Sequence, residues 1–413
     1  YGVCFNPAGV EVAVSGSLIQ NPSFEDHPPS AAWPHYGPVG GWEGGSGVNN
    51  ASGPFQDNGV IPDRVQIAFT QGSRKLKQLV GGLEAGQQYW LQFHYNVRNC
   101  CGGTMDLSIQ FAEEELDYIS EIYAVGGDEP YYYHHIEFTP ESSSGELVFE
   151  AIAAGDATLL LDGVTLAKRS AADVAMINPG FEASGTPGFP GYIQPAPISG
   201  WTSTGNYGVN VSGPGPFANN GINPEQDRVA FLQGDATLSQ FVEELEDGEA
   251  YHLSFAFNAR SGNRPTLNVS VNGETALEYE VNPVGDAEPY YVFVYNFTAD
   301  SDVADIAFAQ TAAGDNTVLL DDVRLLKGKG TEVELPGPEE PAVPISMALG
   351  QGADSSLTLS WSADETGWVT QYAEKVTGPW QDAGAEATVE DGKLVIKVTP
   401  AKTGARFYRL SHP

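Results

Sequence analysis

Two short phrases, LIQNPSFE beginning at Leu18 and MINPGFE ending at Glu182, open a duplication that constrains this chain more than any other feature. Further pairs follow in unchanged order. GGWEGGSGVNNASGPFQDNGVIPDRV is answered by SGWTSTGNYGVNVSGPGPFANNGINPEQDRV, and LEAGQQYWLQFHYNVR by LEDGEAYHLSFAFNAR. GGDEPYYYHHIEFT is answered by GDAEPYYVFVYNFT, and AAGDATLLLDGVTL by AAGDNTVLLDDVRL. Units of this length exceed a solenoid repeat and are large enough to fold as domains. Residues 17–169 and 173–327 are therefore read as two homologous domains. Residues 1–16 precede the first copy and have no counterpart before the second. Residues 328–344 read as a Pro- and Glu-rich linker, and residues 345–413 as a small third domain.

Within the copies, YWLQFHYNV, LSIQF, YHLSFAFNA and LNVSVN alternate with period two, the pattern of strands with one buried face. SLTLSW and KLVIKVT extend it into the third domain. With 48 Gly and 28 Pro to supply tight turns, the expected class is all-β. Lys and Arg number 19 against 54 Asp and Glu, a formal charge of −35 that repels nucleic acid and anionic membrane surfaces. No stretch approaches the about 18 apolar residues of a membrane span. A first residue that is Tyr rather than Met leads to the expectation of a removed leader and an extracellular or cell-surface location. Of the three cysteines, adjacent Cys100 and Cys101 are poorly placed to bridge each other. Cys4 is expected to pair with Cys100 or Cys101, with three free thiols as the alternative.

The two large domains resemble carbohydrate-binding modules of the family-4 and family-9 type, within the galactose-binding-like jelly rolls. The resemblance rests on Asn-Pro-x-Phe-Glu, on Gly-Trp at 41–42 and 200–201, on the LEAGQQYWLQFHYNVR strand and on the closing Leu-Leu-Asp-x-Val. The third domain resembles small bacterial immunoglobulin-like or fibronectin-like domains through LSW, GPW and FYRL. The resemblance implies two tandem jelly-roll β-sandwiches followed by an Ig-like one. It also implies structural Ca2+ where first and last strands meet, held by Glu25 and Asp162 in one copy and Glu182 and Asp321 in the other. Hard carboxylates suit that ion, although salt bridges or exposed caps would also account for the two glutamates. Phe24, Phe181, Trp42 and Trp201 are expected in the core. Asp63-Arg64 and Asp227-Arg228 look like a repeated charged corner.

Catalysis is not expected. The sequence contains no zinc-binding HExxH, nucleophile elbow or P-loop. With so many acidic residues, a glycosidase pair could always be nominated, so the carboxylates carry no signal. Two non-enzymatic readings remain. In one, alternation puts Trp90, Gln92, His94, Asn96 and Arg98 on one face as a sugar platform, with Asn258 and Arg260 retained in the second copy and His252 and Ala256 replacing the ring residues. A neighbouring domain covering Trp90 is the competing explanation. In the other, preferred reading, the chain is a self-associating subunit of a filament or surface layer. The VEVAV tract, through Val10, Val12 and Val14, would then add a strand to a neighbour's sheet edge. A strand folded back on its own domain is the alternative. Asn50, Asn210, Asn268 and Asn296 head glycosylation sequons.

Overall fold

The computed structural model describes residues 4–5, 11–12, 18–26, 34–50, 53–100, 104–184, 192–194, 197–211, 215–336, 348–351, 357–362, 369–375, 379–383, 387–398 and 406–411. Among them the regular structure is strands and two short 3-10 turns. The chain divides into one unit over 1–335, holding both copies, and a second over 336–413.

In the first copy, one sheet takes its strands in the order 114–122, 105–111, 144–152, 74–81 and 43–44. The other runs 132–138, 89–97, 158–168, 67–71, 47–49 and 35–36, all antiparallel. Alternation sends Leu91, Phe93, Tyr95 and Val97 into the space between the sheets, where they meet Leu107, Ile109, Leu147 and Phe149. The second copy repeats this plan, but its strand Arg228–Val242 passes unbroken through both layers. Its first half pairs with Thr317–Leu320 and its second with Ala304–Gln310. The turn between the halves falls at Gly234 (φ 62°), equivalent to Gly72 (φ 66°), a left-handed conformation that glycine adopts at no steric cost.

The opening motif has a mechanical role. Asn21 and Phe24, like Asn178 and Phe181, have positive φ. The Asn21 side chain holds this bend by donating to Gly40 O and accepting from Asp26 N. The Trp42 indole donates to Asn21 O, and Trp201 donates to Asn178 O. The same rings pack at 5.6 Å on Phe24 and 5.5 Å on Phe181. All four aromatics are buried core, as expected from the sequence.

The two copies share a seam. The amide of Gln92 donates to Met176 O at 2.6 Å and accepts from Asn178 N at 3.1 Å. Gln226 accepts from Leu18 N and donates to Leu166 O. Arg169, 2% exposed, forms a two-point ion pair with Glu225 and lies 5.7 Å over the Trp90 ring. Downstream, Val174 N–H donates to Leu325 O and Arg324 pairs with Asp173, tying the short connection to the second copy.

The unit over 336–413 has sheets ordered 348–351, 357–362, 393–398, 388–390 and 381–382, 369–373, 407–411. Leu359, Trp361, Ile396 and Val398 pack with Tyr408 and Leu410 between them, making a small sandwich. Near the N-terminus, Cys4–Phe5 pairs antiparallel with Glu11–Val12, with Val12 opposite Cys4. Val10 and Val14 lie outside the described residues. Cys100 is disulfide-bonded, while the side chains of Cys4 and Cys101 lie outside the described residues.

Candidate functional site

The face expected to serve as a sugar platform is not surface in the folded chain: Trp90, Gln92, Asn96 and Arg98 on it are buried. Trp90 is 1% exposed and lies in the seam. His94, beside it on the same face, meets Tyr133 at 5.3 Å between ring centroids, and burial lowers its pKa to about 4. Asn96 donates to Asn58 O and Val125 O and accepts from Val97 N and Val125 N. Asn258 repeats this clamp with Asn220, Val284 and Ala259. Arg98 pairs with Asp156 under Phe55, and Arg260 with Asp315. Side chains of the strand Tyr89–Val97 alternate as its period-two pattern implies, but the outer face is buried as well. Tyr131 and Tyr290 are likewise buried.

The paired carboxylates form backbone clamps. Glu25 accepts from Val65 N and Gln66 N, and Asp162 from Asp63 N and Gly163 N. In the second copy Glu182 accepts from Asp227 N and Arg228 N, and Asp321 from Glu225 N and Asp322 N. These equivalences place Asp63-Arg64 opposite Glu225-Gln226, two residues away from the Asp-Arg pairing suggested by the sequence. Gln66 therefore corresponds to Arg228, whose guanidinium pairs with Glu182 at 2.7 Å. Burial, with Asp63 and Glu25 nearby, raises Asp162 well above the ordinary carboxylate range. Among the described residues no three Asp, Glu, His or Cys side chains are arranged as a metal shell. Backbone N–H groups engage all four carboxylates, and in the second copy the Arg228 guanidinium also stands on Glu182.

The sequons are also placed differently. Asn210 lies inside the strand Thr202–Val211, is 1% exposed and corresponds to Asn49 of the first copy. Asn296 is committed through both amide atoms to Gly330. Asn268 is half-buried on the strand Thr266–Val271 and donates to Thr311. Asn50 is half-buried after the strand Gly47–Asn49.

What remains open is the outer face of the five-stranded sheet in the first copy. Register sets Glu146, Val148 and Glu150 opposite Leu79, Lys77 and Lys75, with Gln110 and Ser108 on the next strand. Lys77 bridges Glu146 and Glu43, and Lys75 bridges Glu150. A depression of about 490 Å³ lies here, lined by Lys75, Gln110, Ala112, Glu113, Glu146 and Val148. Ammonium, carboxamide and carboxylate groups thus line the depression together with the apolar Val148 and Ala112. Leu79 is 74% exposed on the same face. Its equivalent, Phe241, is 70% exposed on the corresponding face of the second copy, among Thr237, Ser239, Ala307 and Asp305. The only trace of this face in the amino-acid pattern is one apolar residue on the polar side of each alternating strand.

A family model described as a protein of unknown function, DUF642, matches residues 175–325, which is the second copy. No curated protein matches. Among solved structures, a cyclase from Fischerella sp. TAU in complex with an indole derivative is 18% identical over 39% of this chain and 100% of its own, with a TM-score of 0.32. The tandem CBM22 N-terminal domain of Paenibacillus barcinonensis Xyn10C is 15% identical over 77% of this chain and 100% of its own, with a TM-score of 0.24. TmCBM61 in complex with β-1,4-galactotriose is 20% identical over 38% of this chain and 100% of its own, with a TM-score of 0.26. At TM-scores of this size, none of them says what this chain binds.

Proposed function

We propose that the chain is a non-catalytic, extracellular carbohydrate-binding protein that takes a neutral polysaccharide on the outer sheet face of its first jelly roll. The observation that carries this reading is the depression lined by the apolar Val148 and Ala112 together with Gln110, Lys75, Glu113 and Glu146. Sugar hydroxyls donate and accept at once, and the C–H faces of sugar rings need apolar contact, so polar groups beside apolar ones match both demands. Strands hold Lys75, Gln110, Glu146 and Val148 on a rigid base, with Ala112 and Glu113 in the adjoining hairpin turn. The net charge of −35 disfavours anionic polymers.

The filament subunit expected from the sequence has less support. The edge strand Glu114–Ile122 carries Glu114, Glu115, Asp117 and Glu121 and two register breaks, while Glu274–Glu280 carries Glu274, Glu278 and Glu280. Charged, irregular edges oppose strand addition, and Glu11 in the proposed donor tract adds to the repulsion.

The test is calorimetric titration of the full chain with soluble xylan, mixed-linkage β-glucan, β-1,4-galactan and polygalacturonate. Binding to at least one neutral polymer is expected, weakened about tenfold or more by Gln110→Ala with Glu146→Ala, in line with the loss of two hydrogen bonds. Absence of binding to every neutral polymer would sink the reading.

A further inference from the structure

We infer that the seam between the two jelly rolls conceals a second carbohydrate-binding face on the first copy, formed by Trp90, Gln92, His94 and His135 and closed by the second copy. This rests on the carbohydrate reading above but concerns a different sheet.

These side chains share one face of two paired strands, since His94 lies opposite Tyr133 and Gln92 opposite His135. The Trp90 and His135 rings meet edge to face at 4.7 Å. Across the seam, Gln92 bonds to the backbone of Met176 and Asn178, and Ala183 approaches the turn at Gly163 beside His94.

Closure leaves polar atoms unsatisfied. Trp90 Nε1, His94 Nδ1 and His135 Nε2 are buried with no hydrogen-bond partner among the described residues. Sealing such atoms away from water is unfavourable, and a surface built only for packing would carry apolar groups there. The second copy supplies that contrast. Opposite the equivalent strand it has Ala256 against Val292 and Ser254 against Val294, while His252 Nδ1 bonds to Gly328 O. The jelly roll itself therefore does not require an indole and two imidazoles at these positions.

The chemistry selects the ligand class. An indole plane can stack on a sugar ring, its N–H donates, and neutral imidazoles and a carboxamide each both donate and accept. The nearest cation, Arg169, is committed to Glu225, so the face suits a neutral, hydroxyl-rich sugar. That ion pair is also the latch. Glu225 occupies the position of Asp63 in the first copy and is one methylene longer. Arg169 has Gly328 as its counterpart, so the latch belongs to this seam alone.

The test opens the full chain in two ways: Arg169→Ala with Glu225→Ala, and separately the steric wedge Ala183→Arg. Opening is read by hydrogen exchange at the Asn178 amide, and binding by calorimetric titration with the neutral oligosaccharides of the polymer that the wild-type chain binds. Faster exchange with one further site per chain, lost on Trp90→Ala, is the expected result. Faster exchange with no further site, or a site that survives Trp90→Ala, overturns the inference and leaves the outer-sheet reading intact. Unchanged exchange in both variants also overturns it, because the seam would then not be a removable cover. If the wild-type chain binds no neutral polymer, the opened variants are titrated with the whole panel, and binding that depends on Trp90 would support the seam while the outer-sheet reading fails.

Discussion

Replacing Glu225 with alanine removes the carboxylate that faces Arg169 in the seam. The Arg169 side chain is 2% exposed and that of Glu225 10%, with N–O distances of 2.7 and 3.0 Å. Removing one partner of a buried pair strands the other charge, at a cost of about 3–5 kcal/mol. Arg169 would keep its bond to Lys168 O, the Trp90 ring and Asp322 at 3.8 Å. These contacts place the expected loss near the lower end, about 3 kcal/mol. Arg169→Ala in the same background removes the stranded charge, so the double variant should lose less than the sum of the singles. Urea unfolding of the full chain, followed by tryptophan fluorescence, gives the four corners of the cycle. A single-variant loss below about 1 kcal/mol, the level of an exposed pair, or a cycle without coupling would refute the reasoning.

Burial lowers the His94 pKa to about 4, so acid should weaken the seam. Because the folded value is depressed below the unfolded value of about 6.5, the folded chain binds this proton less well, and stability present above pH 6.5 is lost as pH falls towards 4. The contribution is on the order of 3 kcal/mol, and the Tm should fall across that window with a shallower slope in His94→Gln. A slope unchanged by that substitution would remove His94 as the cause. Chelator should leave the Tm unchanged, because N–H donors already engage Glu25, Asp162, Glu182 and Asp321; a drop of several degrees (far more than scan error) would restore calcium. Leu79→Ser with Phe241→Ser should change stability by less than about 0.5 kcal/mol per site, since both are exposed. The same pair should weaken polysaccharide binding, and unchanged affinity would show that neither residue touches the ligand.

Much of the architecture was legible because it depends on local pattern. Alternation assigned inward and outward side chains of the strand Tyr89–Val97 correctly, and the repeated Asn-Pro-x-Phe with Gly-Trp marked the packed corner of each sandwich. The candidate site was not legible in the same way. Lys75, Gln110 and Glu146 stand on three strands distant in sequence, and only register brings them together.

The sequence by itself determined an all-β chain with two copies of one sandwich, since period-two alternation and a duplicated core motif admit few other folds. Tertiary structure decided which outward face is surface. Trp90 and Leu79 both lie on outer faces, yet Trp90 is buried beneath Arg169 and Leu79 is open. The two-residue offset that makes Asp63 the equivalent of Glu225 and not of Asp227 was likewise resolved only by backbone bonds to Glu25, Glu182, Asp162 and Asp321. The physical reason is that alternation reports the side of a strand on which a residue lies, whereas what covers that side depends on segments far away in the chain. Charge and burial at the seam, with Glu225 reaching Arg169, are set by that distant packing.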